Sequence, residues 1–415
     1  MKNTIKFAAK LVVMALVIAF SVVACDNGST DDEEIKTPVA DDYVIGNMTQ
    51  TDDNITPVTI TPKPGKSTGA VKIFYKGSSK LPTEKGTYDV TFDVEEAKGW
   101  NYVSGLFAGT LTINEGVRWA KVANSTFGIS SAVKGVAWGN NVFVAVGAGG
   151  KIAYSADGKT WTAAANSPFG NSTINCVAWG DGKFIAGGDD AKMASSDDGI
   201  TWTPISNTGF TVSSTAYAVN GIVYGSDKWV AVGKNRLAYS ATGTTWTASD
   251  SNAPFNYEQG SPNLLGVAFG EGRFVLVGAA GGQGHGSSLA YSNDGISWTK
   301  WDSSAVGDNI TSVCFGNNKF VAIALDMILY SENAGIDWAA VTLPESPQVY
   351  AVAAKAGRFI AVGAYGAIFY SNDCVNWTTN KAAEALSANH FYSVVYGSGN
   401  WVATGLNGVI AYLEE

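Results

Sequence analysis

The chain has 415 residues and a net charge of −9 from 27 basic and 36 acidic side chains. Only 15% of residues are charged, while 48 glycines, 13 tryptophans, 17 tyrosines and 18 phenylalanines are present, a balance that argues against both a helical bundle and disorder. The acidic field repels a phosphate backbone, so nucleic acid is excluded as a partner. Two histidines and four scattered cysteines give no metal-ligand cluster, and no metal or cofactor is expected.

Residues 1–24 place Lys2, Lys6 and Lys10 ahead of an apolar run from Leu11 to Ala24, the layout of a signal peptide. The run ends Val22-Val23-Ala24-Cys25, which resembles the bacterial lipobox. The resemblance implies cleavage before Cys25 and its lipidation, hence a membrane-anchored lipoprotein of the bacterial cell envelope, facing the periplasm or the cell surface. Residues 25–42 hold seven acids and one base, too little apolar surface to order, and are expected to be a solvated tether.

From Tyr43 onward short runs alternate apolar and polar residues, as in Val71-Lys72-Ile73-Phe74-Tyr75 and Tyr88-Asp89-Val90-Thr91-Phe92-Asp93-Val94, with Gly, Pro and Ser between them. Residues 43–115 are thus expected to form a small antiparallel β-sandwich. Pro82-Thr83, Gly86-Thr87-Tyr88, Trp100-Asn101-Tyr102 and Gly109-Thr110-Leu111-Thr112-Ile113 resemble the bacterial immunoglobulin-like repeats called MBG domains. That resemblance implies a spacer or adhesion-associated module.

Residues 116–415 are periodic. Trp119, Trp161, Trp202, Trp246, Trp298, Trp338 and Trp377 recur at intervals of 39 to 52 residues, the length of a four-stranded propeller blade. Each unit opens with a strand, a two-residue turn and a second strand. The first reads Gly135-Val136-Ala137-Trp138-Gly139, Asn140-Asn141, Phe143-Val144-Ala145-Val146-Gly147, and six more copies begin at Cys176, Gly221, Gly266, Ser312, Ala351 and Ser393. The turns are mostly of residues that tolerate positive φ. A third strand follows, then Ser-x-Asp-Gly and a fourth strand headed by Trp. Ser196-Asp197-Asp198-Gly199-Ile200-Thr201-Trp202 resembles the Asp-box, or BNR, repeats of sialidases and of photosystem II assembly-factor-like propellers. In such families these turns lie away from the active site, which implies structural roles for Asp157, Asp198, Asp294 and Asp373. Thr242 replaces the acid in the third copy and Cys374 replaces the glycine in the sixth.

The seventh unit stops at Glu415 before any fourth strand, whereas Val117-Arg118-Trp119-Ala120-Lys121-Val122 reads as a fourth strand without its own unit. The expected fold is therefore all-β, a β-sandwich followed by a seven-bladed propeller that an N-terminal strand closes.

A residue type that recurs in every unit holds the blade, whereas one that breaks the pattern is free to meet a ligand. By that filter Lys183, Lys228, Arg273, Lys319 and Arg358 are solvated hairpin residues, and Phe127, Phe169, Phe210 and Phe255 pack one blade on the next. The loops between strands two and three, and those between blades, share one face and vary. They supply the candidate ligand-binding residues Asp189, Asp190, Arg236, Tyr257, Glu258, His285, Asp326 and Tyr365. His285 and His390 are expected to be uncoordinated, and Cys176, Cys314 and Cys374 to be buried free thiols.

No catalytic residue is assigned. A sialidase needs converging arginines, and this propeller has only Arg118, Arg236, Arg273 and Arg358, without the Phe-Arg-Ile-Pro signature. The reading is a monomeric envelope protein binding a glycan, peptide or protein. The alternative is a sialidase-like glycoside hydrolase using a carboxylate pair drawn from Asp189, Asp190, Glu258 and Asp326.

Overall fold

The computed structural model describes residues 35–51, 55–114, 119–234, 236–249, 263–279, 287–301, 309–325, 327–343, 348–355, 357–379 and 386–414. The signal and lipidation readings on residues 1–25 lie outside them. The chain divides into two compact units between Asn114 and Glu115.

In the first unit, strand Val103–Asn114 pairs antiparallel with Gly86–Val94, which pairs with Val71–Tyr75; Tyr43–Gly46 pairs separately with Thr59–Pro62. Phe92, Val94, Val90 and Leu111 are fully buried between the two sheets, as the alternation predicts. Two features differ from expectation. Thr49–Thr51 joins the far edge of the sheet parallel to Val103–Asn114, so the sandwich is not wholly antiparallel. The end of the expected tether is also part of the fold. Lys36 exchanges backbone hydrogen bonds with Gly99 and Asn101, and Asp42 is 5% exposed, paired with Lys66 at 2.6 Å and accepting the Val39 N–H. Its carboxyl is held below the usual range, first by the Lys66 hydrogen bond.

The second unit is a ring of seven four-stranded sheets. The innermost strands are Val133–Gly139, Ile174–Gly180, Val219–Gly225, Asn263–Gly270, Ile310–Gly316, Val349–Lys355 and Phe391–Gly397, each packed on the next and the last on the first. Seven two-residue hairpin turns lead to the second strands. Asn140 and Asn141 (φ 46° and 57°), like Ser226 and Asp227 (φ 45° and 53°), are both left-handed, which matches the right-handed twist of the flanking strands. Blade seven consists of Phe391–Gly397, Asn400–Gly405 and Ile410–Glu414 with Ala120–Lys121 as its outer strand, paired Ala411 to Lys121 and Tyr412 to Ala120. The N-terminal strand thus closes the ring. A short hairpin absent from the sequence reading, Thr211–Val212 with Thr215–Ala216, lies between blades two and three.

At five of the seven junctions, where an inner strand ends, an aromatic side chain lies on the glycine of the preceding blade. Trp179 covers Gly139, Tyr224 covers Gly180, Phe269 covers Gly225, Phe315 covers Gly270, and Trp138 covers Gly397 across the closure. A Cβ at any of these glycines would approach the aromatic side chain to 2.0–2.3 Å.

The Ser-x-Asp-Gly turns are self-contained hydrogen-bonded units. The Asp157 carboxylate accepts from the Ser155 hydroxyl and from the N–H groups of Lys159 and Thr160 at 2.7–2.9 Å. Ser155 Oγ in turn accepts the Gly158 N–H, and the Trp161 indole donates to Gly158 O. Asp198, Asp294 and Asp373 accept the same hydroxyl and N–H donors, although the Trp298 indole beside Asp294 has no acceptor. A carboxylate so engaged has little capacity left for a ligand.

The hairpin cations are not merely solvated. Lys228 Nζ lies over the Tyr239 ring of its own blade and donates at 2.7 Å to Asp294 O in the turn of the next. Lys183 reaches Thr242 O, Arg273 reaches Ala334 O and Lys319 reaches Asp373 O, while Asn400 does the same to Asp157 O across the closure. These donors satisfy carbonyls that the tight turn leaves without a partner.

Candidate binding mouth of the central channel

Each inner strand carries a β-bulge at its start. Gly188 pairs with Ile174 and Gly187 with Cys176, so Asn175 has no partner, and the same shift recurs in all seven blades. The seven extra residues are Lys134, Asn175, Asn220, Leu265, Thr311, Tyr350 and Tyr392. A bulge re-aims the unpaired residue, and together these line a cavity of about 240 Å³ at one mouth of the channel. Lys134 is the one charged side chain among the described residues that line it.

Three of the seven are locked between blades. Asn175 Nδ2 donates to Asp189 Oδ1 at 3.0 Å and to Val219 O; Asn220 Nδ2 donates to Asn263 Oδ1 and Leu264 O at 3.0 and 2.9 Å; Thr311 Oγ1 donates to Tyr350 O. Blades six, seven and one depart from this. Tyr350 and Tyr392 stand with ring centroids 5.9 Å apart, and Lys134 Nζ lies 4.4 Å from the Tyr392 centroid. His390, in the connection between blades six and seven, stacks on Tyr350 at 6.3 Å and meets Tyr365 at 4.8 Å. The aromatic faces therefore run without a break from the rim at Tyr365 to the mouth at Tyr392. Burial and the neighbouring Tyr350 raise the Tyr392 phenol above its ordinary value.

Tyr365 is 74% exposed and sits at φ 52° in the loop between strands two and three. The matching loops of blades one, two and seven place Gly149, Asp190 and Asn407 there, at φ 67°, 58° and 57°. Glycine, aspartate and asparagine enter that region readily, whereas a bulky aromatic does so at a cost of about 1 kcal/mol. Only the backbone conformation recurs; the side chain in blade six is a departure from the repeat.

The other predicted residues are placed as follows. Asp189 takes the Asn175 amide of the inner-strand bulge and Asp190 the Ser172 hydroxyl at 2.7 Å, so the loop between strands two and three is tied to its own inner strand and to the preceding inter-blade loop. The two loop families do share one face. Arg236 does not belong to the variable set. It occupies the position of Lys151 and Lys192, which donate to Phe127 O and Phe169 O, and its guanidinium lies 5.9 Å from the Tyr217 ring. Tyr257, Glu258, His285 and Asp326 lie outside the described residues, as does Phe255. Phe127, Phe169 and Phe210 are at most 1% exposed. Cys176, Cys314 and Cys374 are free; burial pushes the Cys176 and Cys374 thiols up to about 12 and raises Cys314 further. No group of three or more His, Cys, Asp or Glu among the described residues is arranged to hold a metal ion. No helix among them is long and apolar enough to cross a membrane.

Sequence reasoning missed Lys134, Tyr350, Tyr392 and the packing of His390. The available signal was the column just before the small residue of each inner strand, where Asn, Leu and Thr give way to two tyrosines and a lysine.

Residues 115–259 match the family described as the DUF6242 beta propeller domain. No curated protein matches the chain in sequence. Among solved structures, YCF48 from Cyanidioschyzon merolae is similar at 15% identity and a TM-score of 0.53, over 72% of this chain and 98% of its own. YCF48 bound to D1 peptide is similar at 13% identity and a TM-score of 0.56, over 72% and 100%. A catalytically inactive virginiamycin B lyase from Staphylococcus aureus with quinupristin follows at 9% identity and a TM-score of 0.58, over 72% and 99%. These likenesses establish the β-propeller fold.

Proposed function

We propose that this protein is a lipid-anchored envelope scaffold whose propeller binds a peptide segment of a protein partner at the channel mouth, and that it performs no catalysis. The observation that carries this reading is the aromatic track from Tyr365 through His390 and Tyr350 to Tyr392. Large, stiff aromatic faces anchor peptide ligands at small entropic cost. The track lies where the repeat is broken, and a propeller of the same fold has been solved with a peptide bound. Against hydrolysis stand the engaged carboxylates of Asp189 and Asp190. In this reading Cys25 carries the lipid, the MBG-like first unit is a spacer, the Ser-x-Asp-Gly turns are Asp-box repeats, and the chain acts as a monomer.

Selection from a random peptide display library tests the site. Clones that bind the wild-type protein are expected to lose binding to the Tyr350→Ala/Tyr392→Ala protein and to keep it to Lys228→Gln, which alters the opposite face. Equal binding to all three would reject the channel mouth. Incorporation of labelled palmitate that survives Cys25→Ser would reject the anchor.

A further inference from the structure

We infer that the segment held at the mouth is acidic and lays its carboxylates over blades one to three, a ligand class that rests on the reading of this mouth as a peptide site. Charge divides the face in two. In blades six and seven the described loops on this face, residues 364–367, 386–390 and 406–409, contain no lysine, arginine or carboxylate, and the aromatic track lies there. In blades one to three the described residues of the mouth and its loops carry five cations, Lys134, Lys151, Lys192, Lys234 and Arg236, against two carboxylates, Asp189 and Asp190. This local excess of positive charge stands in a chain whose net charge is −9.

No ion pair cancels these cations. Lys151 Nζ donates to Phe127 O and Ser131 Oγ, and Lys192 Nζ to Phe169 O and Ser172 Oγ, so neutral oxygens hold both ammonium groups in place. The Arg236 Nε is buried without an acceptor, and Lys134 is half-buried in the cavity lining beside Tyr392. None of the five is paired with a carboxylate among the described residues. Asp189 and Asp190 are themselves engaged by the Asn175 amide and the Ser172 hydroxyl. The neutral groups of the lining, its tyrosines and asparagine oxygens, receive an uncharged peptide or saccharide alike. The field does discriminate, because it favours a carboxylate over its amide isostere and repels an ammonium. Since the cations belong to three successive blades, a run of acids answers them better than a single one.

The test titrates the full-length mature chain with three end-blocked hexapeptides in which tyrosine alternates with glutamate, glutamine or lysine. At about 50 mM salt the glutamate peptide is expected to bind about tenfold more tightly than the glutamine peptide, with the lysine peptide weakest, and about 0.5 M salt should erase most of the difference. Lys134→Gln should cut the preference for glutamate over glutamine about threefold and Lys134→Arg should restore it, whereas Lys228→Gln on the opposite face should leave it unchanged. Clones selected from the peptide library should likewise be enriched in aspartate and glutamate over the unselected pool. Equal binding of the glutamate and glutamine peptides, or a preference that survives Lys134→Gln in full, overturns the inference, as does hexagalacturonate binding more tightly than the glutamate peptide. Library clones that need Tyr350 and Tyr392 but carry no acidic excess would end this inference and leave the peptide site standing. Clones indifferent to both tyrosines would end both.

Discussion

Replacing Trp119 in the closing strand tests how the ring is held. Trp119 is 1% exposed and shares a buried cluster with Trp401, Ala411 and Leu413 of blade seven and Ile360, Val362 and Ile368 of blade six. Its strand contributes only two ladder pairs and the Val122 N–H to Ile410 O bond, so the indole is the main anchor of the closure. Trp119→Ala leaves a cavity in that cluster and should cost about 3–5 kcal/mol. For a unit of this size that corresponds to a fall of roughly 6–10 °C in its melting temperature. Trp119→Phe should cost only about 1 kcal/mol, because the smaller ring also removes an indole N–H that is buried without an acceptor. Calorimetry of the full chain should resolve separate transitions for the two units, with the propeller's alone moving. A propeller transition within 2 °C of wild type in Trp119→Ala would refute closure by this strand, and an equal loss in the phenylalanine variant would refute the account of the orphaned N–H.

Partial burial opposes ionisation of Asp294, but N–H bonds from Ser297 and Ile296 and the hydroxyls of Ser292 and Ser297 outweigh it and hold its pKa at about 2. Its contribution is thus complete above about pH 4 and lost as pH falls from 4 to 2. Asp294→Asn, which keeps an acceptor as Asn333 does in blade five, should flatten the decline in denaturant midpoint over that window, and an unchanged decline would contradict the assignment. The Cys374 thiol, fully buried and raised to about 12 by that burial, should ignore a disulfide reagent at pH 8 in the native protein and react after unfolding; fast labelling of Cys374 in the native chain would show its turn to be open. Tyr365→Gly should raise the melting temperature by about 1–3 °C through relief of its left-handed backbone while weakening peptide binding. A loss of stability would make Tyr365 a packing residue.

Much of the fold is legible because its causes are local. A hairpin turn needs two residues at positive φ, and Asn-Asn, Asp-Gly or Ser-Gly declare it; a tryptophan marks every outer strand, in six blades after a Ser-x-Asp-Gly turn or a variant of it. The bulges leave only the small residue that follows each of them as a mark. The extra residue is defined only by the register of two strands, and Lys134, Asn175, Leu265 and Tyr350 have no chemistry in common that a reader of the chain could follow. The hairpin cations show the same limit. Their period is plain, but that Lys228 grips a carbonyl 66 residues away depends on the angle between blades, which only the closed ring sets. In the sequence Arg236 reads as a variable-loop residue because its loop is a residue shorter than that of Lys192, which hides the shared position.

Several departures from the repeat gather in blade six and its neighbours. At the channel mouth the tyrosines and the lysine occupy blades six, seven and one. At the other end of the inner strands the row of aromatic rings on glycines is broken in blade six, where Ala354 faces Gly316, and again one residue on, where Lys355 replaces the glycine and its Nζ lies 3.4 Å from the Tyr396 centroid. Blade six also carries the left-handed Tyr365 and the left-handed, buried Cys374 in place of a turn glycine. Each left-handed substitution costs about a kilocalorie per mole, a cost that Ala191 of blade two and Leu325 and Ala334 of blade five carry as well. Of these departures, Tyr365 gains no buried surface in return, being 74% exposed. Its exposed ring extends the aromatic track to the rim, where the proposed peptide would first meet blade six.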